Sequence, residues 1–150
     1  MKKYILLMTM IFTTGFLMAQ EKGQYSMGST HLNFGPVYAG VDFTVQDNIT
    51  VGPVVTYDWS YYDSNLGEFR AAFNLSGKAD YHFGTILGLP EQWDLYGGVR
   101  VGVGFGSKTR LLSGVEIGGR WFWNDKWGLN VESVYGNYWG GNVGVTMKLK

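Results

Sequence analysis

The chain is expected to fold as an all-β protein, an eight-stranded antiparallel up-and-down transmembrane β-barrel. Three observations carry this expectation: long runs of alternating apolar and polar residues, tryptophans gathered at the ends of those runs, and charges of both signs on the polar face. In the clearest run, Ile49, Val51, Pro53, Val55, Tyr57, Trp59 and Tyr61 share one face. Thr50, Gly52, Val54, Thr56, Asp58 and Ser60 take the other, and all but Val54 are polar or small. Successive side chains of a strand point to opposite faces, so this is a long strand with one greasy and one wet side. It exceeds the roughly 5–6 residues of an average strand and reaches the roughly 9–11 that cross a bilayer at a tilt.

The other elements follow in order. A first strand is expected around Met27–Phe34, marked by Leu32 and Phe34, with Gly35-Pro36 turning it into the next. Val41, Phe43 and Val45 oppose Asp42 and Thr44, and Gln46-Asp47-Asn48 forms a tight turn into the Ile49–Tyr61 strand. After a loop over Asp63–Gly67, Phe69, Ala71, Phe73, Leu75, Gly77, Ala79, Tyr81 and Phe83 alternate with Arg70, Ala72, Asn74, Ser76, Lys78, Asp80 and His82. A connection over Gly84–Gln92 has an apolar centre, Ile86-Leu87-Gly88-Leu89. Leu95, Val99, Val101, Val103 and Phe105 then oppose Asp94, Tyr96, Gly98, Arg100, Gly102 and Gly104. Beyond a polar loop over Gly106–Arg110, Val115, Ile117, Gly119, Trp121 and Trp123 face away from Glu116, Gly118, Arg120 and Phe122. Asn124-Asp125-Lys126 turns the chain into Trp127, Leu129 and Val131, opposite Gly128, Asn130 and Glu132. Gly136–Gly140 leads to the last strand, where Val143, Val145, Met147 and Leu149 oppose Asn142, Gly144, Thr146 and Lys148. The even count that bacterial barrels use makes the first strand necessary. No segment shows the 3.6-residue period of an amphipathic helix.

Composition agrees. Only 16% of the 150 residues are charged, against about 25% in typical soluble domains, while 17% are aromatic and 23 are glycine. Without cysteine, disulfides and thiolate metal sites are excluded. Lys2 and Lys3, the apolar stretch Tyr4–Met18 and the small Ala19 before Gln20 read as a cleaved secretory signal over 1–20, leaving 21–150 as the barrel domain. Its loss takes two of the twelve bases and none of the twelve acids, so the mature charge is near −2. That offers no electrostatic footprint for nucleic acid.

Trp59, Trp93, Trp121, Trp123, Trp127 and Trp139 all fall at strand ends or in turns, as expected of membrane-interface girdles. Arg70, Lys78, Arg100, Arg120 and Lys148 balance Asp42, Asp58, Asp80, Glu116 and Glu132 on the polar face. In a closed barrel these ten would form a structural charge network in the lumen, because a buried ion without a partner costs several kcal/mol. Gly98, Gly102, Gly104, Gly118 and Gly144 leave inner room for long side chains. Pro53 lacks an N–H in a wall without edges, so a bulge is expected near Gly52-Pro53. Short turns at Gln46–Asn48 and Asn124–Lys126 would face the periplasm with both termini and the longer Gly84–Gln92 connection, and the loops at Tyr62–Gly67, Gly106–Arg110 and Gly136–Gly140 would face outward. The rival architecture, a soluble lipocalin-like barrel, would reverse the faces, with apolar residues inside and charges outside.

The segment Val115-Glu116-Ile117-Gly118-Gly119-Arg120-Trp121-Phe122-Trp123-Asn124-Asp125-Lys126-Trp127-Gly128, the signal ending Ala19-Gln20 and the closing Gly144-Val145-Thr146-Met147-Lys148-Leu149-Lys150 resemble the small outer-membrane β-barrel domain family of Bacteroidota, akin to OmpX- and OmpA-type eight-stranded barrels. The resemblance covers most of residues 24–150, and its motifs specify architecture. It implies Gram-negative outer-membrane localisation and recognition by the barrel-assembly machinery. Family chains often end on an aromatic residue, whereas this one ends Leu149-Lys150.

Little in the chain suggests chemistry. His82 is expected inside beside Asp80 as a hydrogen-bonded lumen residue, and two histidines without cysteine suggest no metal cluster. The Gly102-x-Gly104-x-Gly106 run has no helix behind it and is not a nucleotide loop. Lipid-A deacylase barrels, which this chain resembles in size, place a serine two residues after a histidine; Asn33 and Gly84 stand there instead. Eight strands leave an interior that side chains fill. The expectation is therefore a monomeric, non-enzymatic outer-membrane protein without catalytic, cofactor or metal residues, in contact with outer-membrane lipid and binding no nucleic acid. Its role would be structural or adhesive, presenting short loops such as Tyr61-Tyr62-Asp63-Ser64-Asn65 and Gly136-Asn137-Tyr138-Trp139 to a surface ligand. The alternatives are a narrow channel for a small solute and a lipid-A-modifying enzyme.

Overall fold

The computed structural model describes Tyr25 and residues 27–63, 68–106 and 109–149, apart from the side chains of residues 58–72. The expected signal, residues 1–20, lies outside the described residues. Eight strands form one closed antiparallel barrel in sequence order: β1 (Thr30–Gly35), β2 (Tyr38–Gln46), β3 (Ile49–Asp63), β4 (Glu68–His82), β5 (Trp93–Phe105), β6 (Arg110–Phe122), β7 (Trp127–Gly136) and β8 (Trp139–Lys148). Closure is made by β1 against β8, from His31↔Lys148 to Phe34↔Val145. Among the described residues no helix forms.

Alternation decides which way each side chain turns. Among the described strand side chains, every Asp, Glu, Lys and Arg shares the inward parity of its strand, as Asp42, Asp80 and Arg100 do. Outward positions hold Val99, Val101, Val115, Ile117, Val131 and Val143, all more than half exposed. The apolar face is outside and the polar face inside, the reverse of a lipocalin-like barrel. An apolar exterior of this extent is rare on soluble monomers.

The wall is uneven. Tyr38 at the start of β2 pairs with Thr56 and Phe73 of β4 with Phe105, so the β3–β4 hairpin runs on beyond both neighbours. One end of the barrel, here the turn end, carries Tyr25, Leu149, the Asp47-Asn48 turn, the 83–92 connection and the 123–126 turn. Asn48 adopts φ of 64°, which asparagine tolerates well, and closes the two-residue turn. The opposite, loop end carries connections 36–37, 64–67, 106–109 and 137–138.

Several boundaries differ from those read off the sequence. β1 starts at Thr30, and the turn after it is Pro36-Val37. β6 begins at Arg110 because Leu111 turns outward and Leu112 inward, a pairing of apolar neighbours that hides alternation. β7 runs to Gly136, which leaves Asn137-Tyr138 as a tight turn in place of a Gly136–Gly140 loop. The 83–92 connection shares an end with the Asp47-Asn48 and 123–126 turns, as expected, whereas two-residue turns at 36–37 and 137–138 stand at the end where longer loops were expected. The expected bulge at Gly52-Pro53 is absent too. The β2–β3 register is the same on both sides of it, Gly40↔Val54 and Phe43↔Val51, and shifts instead between Thr44 and Gln46. A Cβ on Gly52 would lie 1.6 Å from the Val41 carbonyl oxygen, so glycine lets β2 pass close beside Pro53 without a register change.

Candidate functional site

The candidate site is the barrel interior, which its strands divide into three layers. The middle layer is ionic. Lys78 on β4 is its hub: Nζ lies 3.1 Å from Asp42 Oδ1, 3.1 Å from Asp80 Oδ2, 3.6 Å from Glu116 Oε1 and 3.8 Å from Glu132 Oε2. Arg100 donates from Nε to Glu116 Oε2 and from Nη2 to Glu132 Oε1, both at 2.6 Å. Arg120 pairs through Nη2 with Asp42, and its Nη1 lies 3.9 Å from Asp94 Oδ2. Its guanidinium also sits 4.6 Å over the Tyr96 ring.

Seven of the ten lumen charges expected from the sequence thus meet in one network: Asp42, Lys78, Asp80, Arg100, Glu116, Arg120 and Glu132. The side chains of Asp58 and Arg70, like that of Trp59, lie outside the described residues. Lys148 is half-buried at the turn-end rim, where it lines a cleft of about 740 Å³ with Gly84, Glu91, Trp93, Trp123 and Asp125. Asp94 joins the network, so the fully buried charges among the described residues are three cations, Lys78, Arg100 and Arg120, against five carboxylates, Asp42, Asp80, Asp94, Glu116 and Glu132, while Arg110 and Lys148 share the inward parity at the two ends and are half-buried. Neutral donors supply part of the difference. Asn33 Nδ2 donates to Asp42 at 2.7 Å, Asn142 Nδ2 to Glu132 at 3.1 Å, and the Tyr96 hydroxyl lies 3.0 Å from Glu132 Oε2.

On the loop side of this layer the interior turns apolar. Tyr38 precedes Asp42 on β2, Val54 follows Thr50 on β3, Leu112 precedes Glu116 on β6 and Val134 follows Glu132 on β7. All four are buried and inward. Asn130 Nδ2 donates to the Tyr38 hydroxyl at 3.1 Å, fixing that ring over the ions. Beyond them, burial raises the Tyr138 phenol above its usual pKa, an effect that Arg100 opposes.

On the turn side the layer is aromatic. His31, His82 and Phe122 lie beyond Asn33, Asp80 and Arg120 on their strands. His82 is inside as expected, but its partners are not Asp80: Nδ1 lies 2.9 Å from Asp94 Oδ2 and Nε2 3.0 Å from Thr50 Oγ1. This is a hydroxyl–imidazole–carboxylate chain with the spacing of a catalytic relay. All three members are buried and Tyr25 stacks on the imidazole, so the arrangement orients His82 and leaves the Thr50 hydroxyl no exposed face. Tyr25 was not foreseen. It lies before β1 yet is only 2% exposed, and its hydroxyl accepts from Arg120 Nη1 at 2.6 Å. Burial holds its phenol well above the usual pKa against the opposing pull of Arg120.

Inner glycines make room for the long side chains. A Cβ on Gly118 would come within 2.3 Å of Tyr96 Cζ and 2.4 Å of its hydroxyl. Gly118→Ala is therefore expected to displace Tyr96 from Asn130 and Glu132 and to cost about 1–3 kcal/mol in urea unfolding; an unchanged midpoint would show that the ring is not confined.

The exterior carries the five tryptophans whose side chains are described. Trp93, Trp121, Trp123 and Trp127 cluster near the turn end, with Trp93 and Trp121 cross-strand partners 6.3 Å apart and Trp121 and Trp123 6.5 Å apart. Trp139, 80% exposed, stands at the loop end opposite Tyr135. Among the described residues no group of three or more His, Asp or Glu side chains could hold a metal ion. No family model, curated protein or solved structure matches this chain.

Proposed function

We propose that the chain is a small integral outer-membrane β-barrel whose lumen is filled by its own side chains. One observation carries the reading: described strand charges all turn inward, while the outward surface between the aromatic ends is uncharged. In water this arrangement exposes apolar side chains and buries ions, two unfavourable terms at once; hydrocarbon removes the first. The dimensions agree. Trp93 and Phe105 on β5 are twelve positions apart, and Trp127 and Tyr135 on β7 are eight. At about 3.4 Å per residue and a tilt of about 40°, the spans are roughly 30 and 20 Å, bracketing an apolar band of about 25 Å. The resemblance to OmpX- and OmpA-like barrels of Bacteroidota points the same way and supplies export, insertion by the barrel-assembly machinery and a Gram-negative outer membrane as the setting.

The filled interior supports a structural or surface-presenting role over a pore. The ionic layer lies between Tyr38, Val54, Leu112 and Val134 on one side and Tyr25, His31 and Phe122 on the other. Purified protein in planar bilayers is expected to give no steady single-channel steps; regular steps would replace this reading with the narrow-channel one. In cells, the protein is expected to stay with membranes through high-salt washing and to migrate differently on gels before and after boiling. Release by salt without a mobility shift would contradict membrane insertion. Lipid A from cells with and without the protein is expected to have the same mass spectrum, as a non-enzymatic barrel requires.

A further inference from the structure

Tyr25 is held in place by groups that recognise a phenol. Its ring stacks on His82 at 3.6 Å and 18° and lies 4.6 Å from the His31 ring. His31 in turn meets Phe122 edge-on at 6.2 Å. At the hydroxyl, Arg120 Nη1 donates at 2.6 Å, and the Asp94 carboxylate lies 3.9 Å from the same nitrogen. A cationic donor on the oxygen with an anion beside that donor suits a phenol: an ether lacks the proton and a hydrocarbon lacks the oxygen. Arg120 keeps its place without Tyr25 because Asp42 pairs with it. A second observation also marks this end of the lumen. His31 is fully buried, yet neither ring nitrogen has a hydrogen-bond partner among the described residues.

The side chain that fills this seat comes from outside the wall. Tyr25 belongs to no strand, and main-chain hydrogen bonds fasten its segment at the rim. Asn48 N donates to the Tyr25 carbonyl at 3.1 Å, Met27 N to Asp47 Oδ1 at 2.9 Å, and Gly28 N to the Thr44 carbonyl at 2.9 Å. The Tyr25 side chain could leave without breaking a strand pair.

We propose that the turn end of the lumen is a binding site for a planar phenol, closed in this state by the chain's own Tyr25. The tethered tyrosine competes at an effective concentration in the millimolar range, so a free phenol enters only when Tyr25 is withdrawn or replaced. This inference concerns the interior alone and stands apart from the membrane reading.

The test uses refolded full-length barrel in detergent, with p-cresol, p-methylanisole and toluene as probes and the imidazole resonances of His31 and His82 as the readout, which partition into micelles would not move. Tyr25→Ala is expected to bind p-cresol saturably, with both imidazoles shifting, and at least about tenfold more tightly than either other probe. Wild type should show no shift at the same concentrations, and Tyr25→Phe, which keeps the ring but not the hydroxyl, should fall between the two. If Tyr25→Ala does not fold, Tyr25→Phe alone decides: p-cresol must move its imidazoles at concentrations that leave wild type unchanged. Equal binding of toluene and p-cresol would reduce the seat to an apolar hole, and no imidazole shift in either variant would overturn the site.

Discussion

Arg100→Ala is expected to destabilise the barrel by about 3–5 kcal/mol, because it leaves charged groups buried without their partner. Arg100 donates to both Glu116 and Glu132, at 2.6 Å each. Without it those carboxylates share Lys78, whose ammonium is 3.6 and 3.8 Å away and already serves Asp42 and Asp80. Glu116→Ala removes the other side of the pair and is expected to cost less, since Arg100 keeps Glu132. The two losses should not add, because both act on one network. Urea unfolding of the refolded protein in lipid vesicles measures them. Unchanged midpoints for both variants would mean that the interior ions do not depend on one another.

Val99→Lys is expected to have an effect nearly as large, for a different reason. Val99 is 53% exposed and stands midway along β5 among outward Leu95, Val101 and Val103. On a soluble surface a lysine there would change stability by no more than about 0.5 kcal/mol. On a lipid-facing wall it would cost about 2–4 kcal/mol at the midplane, falling toward the interfaces. Asp125→Lys, in the exposed turn between β6 and β7, is the control and is expected to be neutral. A Val99→Lys variant as stable as wild type would argue that water covers this face.

Much of the barrel was legible because a period of two is a strong signal over long strands. It sent Phe122 inward despite its apolar ring and Val54 inward among threonines, and both are buried. It failed where neighbours are both apolar, as at Leu111-Leu112, and where local chemistry overrides a rule, as at Gly52 and Pro53. The interior was legible only as a list of inward residues. Which of them meet is set by strand stagger across the lumen, which no local pattern records. Asp94 was read on the polar face, but its partnership with His82 depends on how β4 lies against β5, His82↔Tyr96. Tyr25 left no trace, since a single tyrosine before the first strand carries no periodicity. The signal that could have found it is an aromatic residue just outside a strand whose inward row begins with His31.

The central claim is that the Val, Leu and Phe side of the wall meets hydrocarbon. It is tested most directly by nitroxide spin labels at Val101 and Val115, both outward and more than half exposed, in protein reconstituted into vesicles. Strong relaxation by dissolved oxygen and little by a water-soluble nickel complex are expected at both sites. Labels relaxed by nickel and indifferent to oxygen would contradict it.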